Sequence, residues 1–119
     1  MSTNPSSDSR KRFLLIRTDR VGDTILTFPA VTALRNNYPE AFISFLAQPY
    51  TVPLIEQYAG IDLLLSYEPE GRHRGWKGVL KLSHQLRELN FDAAILFYPR
   101  PELAFALLKA KIPLRIGTG

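Results

Sequence analysis

Five short apolar runs set the limits on what this chain of 119 residues can fold into. They are Phe13-Leu14-Leu15-Ile16, residues 41–47, residues 61–67, Ala93-Ala94-Ile95-Leu96-Phe97 and Leu114-Arg115-Ile116. Runs this continuous read as strands buried on both faces, as in a parallel sheet, rather than as strands with one wet face. The segments between them read as helices. Ile25, Phe28, Val31 and Leu34 give a helix over residues 23–37. Pro49 opens a short one with Val52, Leu54, Ile55 and Tyr58, and Gly60 is expected to close it. Val79, Leu80, Leu82, Leu86 and Leu89 repeat at helical spacing over residues 76–90. Pro101 suits the first turn of a helix running to about Ala110.

The order β-α-β-α-β-α-β-α-β predicts an α/β fold: a Rossmann-like parallel sheet of about five strands, with helices on both faces and right-handed crossovers. The first strand takes residues 12–17. Pro29 falls one and a half turns inside the first expected helix, so that helix either bends or begins late. Tyr38-Pro39-Glu40 stops it. Phe42, Phe45 and Phe97 are expected in the core, and Asp92 is expected to be a turn residue. Residues 1–11 are Ser/Asn/Pro-rich and are expected to form a disordered tail. Residues 12–119 form one domain.

Composition narrows the chemistry. There are no cysteines, which excludes disulfides, thiol catalysis and thiolate-bound zinc. His73 and His84 are too few and too isolated for a metal site, so no metal is expected. The net charge of +4 favours an anionic partner such as a phosphate, a nucleic acid or an acidic membrane surface. No apolar run approaches the roughly 20 residues that span a bilayer, and nothing at the start reads as a secretory signal, so the expected compartment is the cytoplasm.

The candidate site is the turn after the first strand, Arg17-Thr18-Asp19-Arg20-Val21-Gly22-Asp23. In an open α/β sheet, ligands bind at the carboxyl ends of the strands, and a helix N-terminus there offers free N–H groups to an anion. Asp23 has two readings. It caps the helix that follows, or it is a general base; capping hydrogen bonds lower its basicity, so the two conflict in part. Gly22 either serves a tight turn or admits a ligand close to the backbone. The turn is neither a G-x-G-x-x-G fingerprint nor a P-loop. Arg17 and Arg20 are either solvated arginines or anion ligands.

A second surface follows the third strand, Glu68-Pro69-Glu70-Gly71-Arg72-His73-Arg74-Gly75-Trp76-Lys77. Its cations and indole suit an anionic, sugar-bearing ligand, or else form a flexible basic loop. Arg100, after the fourth strand, is expected on the same side of the sheet.

These residues together resemble the start of the family 9 glycosyltransferases, the ADP-heptose:lipopolysaccharide heptosyltransferases and their relatives. The resemblance rests on Arg17-x-Asp19-Arg20-x-Gly22-Asp23, then Pro29-Ala30, Leu34-Arg35 and Tyr38-Pro39. It continues in Phe91-Asp92-Ala93-Ala94-Ile95 and Arg115-Ile116-Gly117, and so spans residues 13–117. It implies the N-terminal, acceptor-binding half of a GT-B enzyme, inverting and independent of metal, with no cofactor beyond a nucleotide-sugar donor such as ADP-heptose. It implies Asp23 as catalytic base and Thr18, Asp19, Arg20, Val21 and Gly22 near the donor phosphates. It places Arg72, Arg74 and Lys77, with Arg100 beside them, toward a glycolipid or oligosaccharide acceptor. Nucleic acid is not an implied partner; a lipid acceptor brings with it peripheral contact with the cytoplasmic face of the inner membrane. The donor-binding half is absent from this sequence, and Gly117-Thr118-Gly119 reads as a cut, so the chain alone is expected to be inactive. Two other classes stay open: a free-standing nucleotide- or phosphate-binding module, and a non-catalytic interaction domain.

Overall fold

A computed structural model describes residues 10–18, 27–58, 60–97 and 100–117. Its elements are β1 (Arg12–Ile16), α1 (Phe28–Asn37), β2 (Phe42–Ala47), a 3-10 turn (Pro49–Thr51) running into α2 (Val52–Ile55), β3 (Leu63–Ser66), α3 (Gly75–Glu88), β4 (Ala93–Leu96), α4 (Pro101–Lys109) and β5 (Leu114–Gly117). The strands form one sheet in the order β3-β2-β1-β4-β5. Every neighbouring pair is parallel. The expected α/β Rossmann-like architecture is therefore the one observed.

The continuous apolar runs are explained by two-sided burial. Leu14 and Ile16 of β1 face a core shared with Leu82 and Leu86 of α3 and Leu103 and Leu107 of α4. Leu15, between them, faces the opposite core with Phe45 of β2, Val31 of α1 and Ile55 of α2. All three β1 residues have no exposed surface. Burying a leucine or isoleucine fully is worth roughly 1.5–3 kcal/mol, so each position favours the same strand register.

Several boundaries differ from expectation for local reasons. Regular α1 starts at Phe28, with Pro29 in its first turn, so the late-start alternative holds for the described residues. Residues 23–26 lie outside the described residues, as do residues 1–9 of the expected tail. Arg10 and Lys11 are not loose: the Arg10 Nε donates to the Glu40 carbonyl at 2.7 Å, and Lys11 accepts from the Phe42 N–H at 2.8 Å. Phe42 is only half-buried, at the margin of the core, with the Arg12 guanidinium over its ring at 4.3 Å. Gly60 does not close α2. That helix ends at Ile55, and Gly60 (φ 109°) lies in the connection to β3. Helix α3 begins at Gly75, one residue before the expected start, so Gly75 is helical rather than a loop residue.

The amino edge of the sheet is tied by two aspartates. Asp92 Oδ2 accepts the Arg12 N–H at 2.8 Å, so this turn residue holds the start of β1. Asp62 Oδ2 accepts the Ile43 N–H at 2.8 Å and is paired with Arg35 at 2.7 Å. Burial pushes the Asp62 carboxyl up, but the Ile43 N–H and Arg35 outweigh it and hold it below its ordinary value. Arg35 also donates to the carbonyls of Pro39 (3.1 Å), Ala41 (2.7 Å) and Gly60 (2.8 Å). One guanidinium thus joins the end of α1 to the entries of β2 and β3. Arg35→Ala is expected to lower stability by on the order of 2 kcal/mol, because it strips a partly buried carboxylate and three carbonyls of a charged donor. Urea unfolding checks this: the midpoint should fall at an unchanged slope. A loss within experimental error would show that the clamp does not hold these entries.

Candidate functional site at the carboxyl edge of the sheet

The strand order creates a crevice. β1 and β4 are neighbours, but the chain leaves β1 toward β2 and leaves β4 toward β5. The connections from these two strands lead to opposite ends of the sheet, and such a switch point is where open α/β sheets take ligands. The ladder continues to the rim: Phe97 N–H donates to Ile16 at 2.9 Å, Arg17 N–H to Leu46 at 3.1 Å, and Tyr67 N–H to Ala47 at 2.8 Å. Thr18 is 1% exposed, and its carbonyl accepts the Gln48 side-chain Nε2–H at 2.6 Å. Asp19, Arg20, Val21, Gly22 and Asp23 lie outside the described residues.

The loop after β3 and the start of α4 meet at this same edge. Tyr67, at the exit of β3, is buried and donates its hydroxyl to Glu102 Oε2 at 3.1 Å. Arg100, at the position preceding α4, reaches Glu102 Oε2 at 3.3 Å and lies 5.9 Å from the Tyr67 ring centroid. Burial and the neighbouring Glu102 push the Tyr67 hydroxyl up to about 12. Burial pushes Glu102 upward as well, but a backbone N–H, the Tyr67 hydroxyl and Arg100 outweigh it, so Glu102 is held below its ordinary value.

His73 stacks on Tyr67 with centroids 5.7 Å apart. It is 2% exposed, and its Nδ1 accepts the Glu68 N–H at 2.9 Å, so the neutral ring closes the 68–73 turn. Gly78 is required beneath it: a Cβ there would lie 2.1 Å from the His73 carbonyl carbon. Trp76, 63% exposed, leans on Phe105 at 5.1 Å. Tyr67, Pro69, His73, Trp76, Val79 and Glu102 line an open pocket of about 370 Å³.

The described part of the predicted second surface is thus assembled, but it is not purely basic. Arg72 is bound to Glu68 at 2.8 Å and Arg100 to Glu102, whereas Arg74 and Lys77 are exposed. Sequence reading passed over Gln48, Tyr67, His73 and Glu102 as site-edge residues. Glu102 carried a usable signal, an acid in a first helical turn directly after Pro101. Gln48 and Tyr67 carried none, since their partners Thr18 and Glu102 lie on distant segments, and His73 stood in the second surface without a role of its own. Among the described residues, no cluster of three His, Cys, Asp or Glu side chains could hold a metal ion, and no helix is long and apolar enough to cross a membrane.

His73 gives the site a pH signature. Burial, with Arg72 nearby, holds its folded-state pKa below the ordinary 6.5. The unfolded chain therefore binds the proton more readily, so this contribution to stability is complete above about pH 6.5 and is lost as pH falls through the folded value. Chemical unfolding between pH 7.5 and 5 should show the midpoint falling with acid in the native chain. The slope should be reduced in His73→Asn, which keeps an acceptor without the titration. Parallel slopes would assign the loss to other groups.

No protein-family model matches the chain. It is 36% identical over 76 residues to lipopolysaccharide heptosyltransferase 3 of Escherichia coli K12, a match covering 62% of this chain and 22% of that protein. Among solved structures, the glycosyl transferase family 9 protein of Veillonella parvula superposes with a TM-score of 0.82 at 23% identity, over 90% of this chain and 32% of its own. The Escherichia coli ADP-heptose lps heptosyltransferase II gives a TM-score of 0.73 at 28% identity, over 89% and 30%. The chain spans between about a fifth and a third of the length of these proteins. In sequence the chain is similar to a lipopolysaccharide heptosyltransferase, and in fold to a family 9 glycosyl transferase and to an ADP-heptose lps heptosyltransferase II.

Proposed function

We propose that this chain forms the acceptor-binding, N-terminal domain of an inverting, metal-independent glycosyltransferase. The enzyme moves a heptose or related sugar from a nucleotide-sugar such as ADP-heptose to a lipopolysaccharide-type acceptor. The observation that carries the reading is the crevice between the exits of β1 and β4, joined to the likeness to heptosyltransferases. The segment that follows β1 in the sequence holds the Gly22-Asp23 pair.

The chemistry suits an acceptor hydroxyl, which is a poor nucleophile. Asp23 takes its proton as the oxygen bonds to the anomeric carbon from the face opposite the leaving group, and configuration inverts. The nucleoside diphosphate departs with the electron pair of the broken bond. Backbone N–H groups of residues 18–22 and arginines near the rim stabilise its charge. Arg74 and Lys77, exposed beside Trp76, take the anionic groups of the acceptor, and Arg72 and Arg100 join them by exchanging a carboxylate partner for a ligand anion. The enzyme works in the cytoplasm, peripheral to the inner membrane where its acceptor lies.

The native protein should carry a second, donor-binding domain, which its mass in the source cell checks: roughly 300 residues or more is a typical size for two domains. In that native protein, Asp23→Ala should cut transfer from ADP-heptose by about a hundredfold or more while leaving thermal unfolding unchanged. Normal turnover would remove Asp23 from the reaction. Replacing Arg72 and Arg74 together should raise the acceptor KM with little change in kcat, and an unchanged KM would refute their role.

A further inference from the structure

The outer face of α3 and α4 carries a basic surface of its own. The two helices pack together over the core that Leu82, Leu86, Leu103 and Leu107 fill. Near their amino ends Trp76 meets Phe105 at 5.1 Å. Toward their carboxyl ends Leu80, His84, Arg87, Leu108, Lys109 and Lys111 line an open hollow of about 440 Å³. Positions 76, 80, 84 and 87 recur at helical spacing, so one stripe of α3 runs from the pocket beside His73 to this hollow.

The make-up of this face is not that of a merely solvated one. Trp76 and Leu108 are exposed, and Leu80 and Phe105 are half-buried between them. Around these apolar groups stand Lys77, Lys81, Arg87, Lys109 and Lys111, all exposed. Those five cations of α3, α4 and the residue after next face two acids on the same elements, Glu88 and Glu102. Glu102 is already held by Tyr67 and Arg100, and Glu88 lies 3.4 Å from His84. Lys111 has φ 59°, a left-handed position just past the end of α4 that glycine usually takes. A lysine there accepts backbone strain, and it lines the hollow with Arg87 and Lys109.

An exposed indole and leucine ringed by lysines suit an anionic bilayer. The cations meet lipid phosphates, and the apolar side chains enter the headgroup boundary. A nucleic acid would engage the cations and leave Leu108 without a role. We propose that the α3–α4 face is the surface with which this protein lies on an anionic lipid bilayer. The inference rests on the peripheral membrane contact proposed above and assigns that contact to named residues. In this orientation the open pocket of Tyr67, His73 and Trp76 lies close to the lipid surface, where a lipid-borne acceptor presents its sugars.

The test is co-sedimentation of the native protein with phosphatidylcholine vesicles, with and without about one third phosphatidylglycerol, at roughly 0.1 M salt. One variant combines Arg87→Gln, Lys109→Gln and Lys111→Gln, and leaves Arg74 and Lys77 of the proposed acceptor surface intact. Each cation near an anionic surface is worth roughly fivefold in affinity, so this variant should bind the anionic vesicles about a hundredfold more weakly. Leu108→Ser keeps every charge and should weaken binding by roughly threefold or more. Thermal unfolding should be unchanged in both, since the replaced side chains are exposed. Wild-type binding by the triple variant would overturn the assignment and leave membrane contact to another face. A native protein that ignores anionic vesicles would overturn the membrane contact and the assignment together. Full binding by Leu108→Ser, with equally tight binding of the native protein to a short DNA duplex, would overturn the bilayer in favour of nucleic acid. None of these readouts uses sugar transfer, so loss of the proposed reaction would leave them standing.

Discussion

The whole arrangement depends on β1 being the shared strand. It is hydrogen-bonded to β2 on one side and to β4 on the other, and its side chains are buried above and below. A strand constrained in four directions has one register. Its carboxyl end is therefore a fixed point from which the neighbouring loops take their positions. The reversal of chain direction at β1 and β4 opens the crevice, and the same reversal puts α1 and α2 on one face and α3 and α4 on the other. Fold and site are thus two results of one pairing choice.

The rim of the crevice is electrostatically quieter than its arginines suggest. Glu68 and Glu102 each hold one of them, and Glu102 also anchors Tyr67. Partly exposed ion pairs of this kind are worth about 0–1 kcal/mol, so a phosphate or acidic sugar can replace a carboxylate at little cost. Before that exchange the acids keep the guanidinium groups oriented and prevent an empty site from accumulating uncompensated charge. Around them, the neutral His73 and the buried Tyr67 form an apolar floor on which the exposed Trp76 edge stands.

The fold was largely legible because its strands are buried on both sides, and a continuous run such as residues 93–97 has few other readings. The misread boundaries share a cause: tertiary contacts reassign residues that look local. Gly60 resembles a helix stop, yet its carbonyl serves Arg35, 25 residues earlier. Gly78 carries no signal of its neighbour in the sequence, yet its missing Cβ lets α3 lie against the His73 backbone. The placement of Thr18 and Arg100 at the carboxyl edge of the sheet was legible, because it follows from strand order. The site was opaque where two distant segments meet, as with Tyr67 and Glu102, 35 residues apart. Periodicity carries no record of such pairs.

The outer side of β5 carries a different consequence. Leu114 is 54% exposed and Ile116 44%, and the strand lies at the end of the sheet with β4 as its one neighbour among the described residues. Arg115, the charge that could discourage a newcomer, turns back to the Ile112 carbonyl at 3.1 Å. Such an edge offers a ladder of backbone donors and acceptors beside apolar side chains. It is a template for whichever extended segment reaches it first. This exposed edge lies at the opposite end of the sheet from β3, two strands from β1.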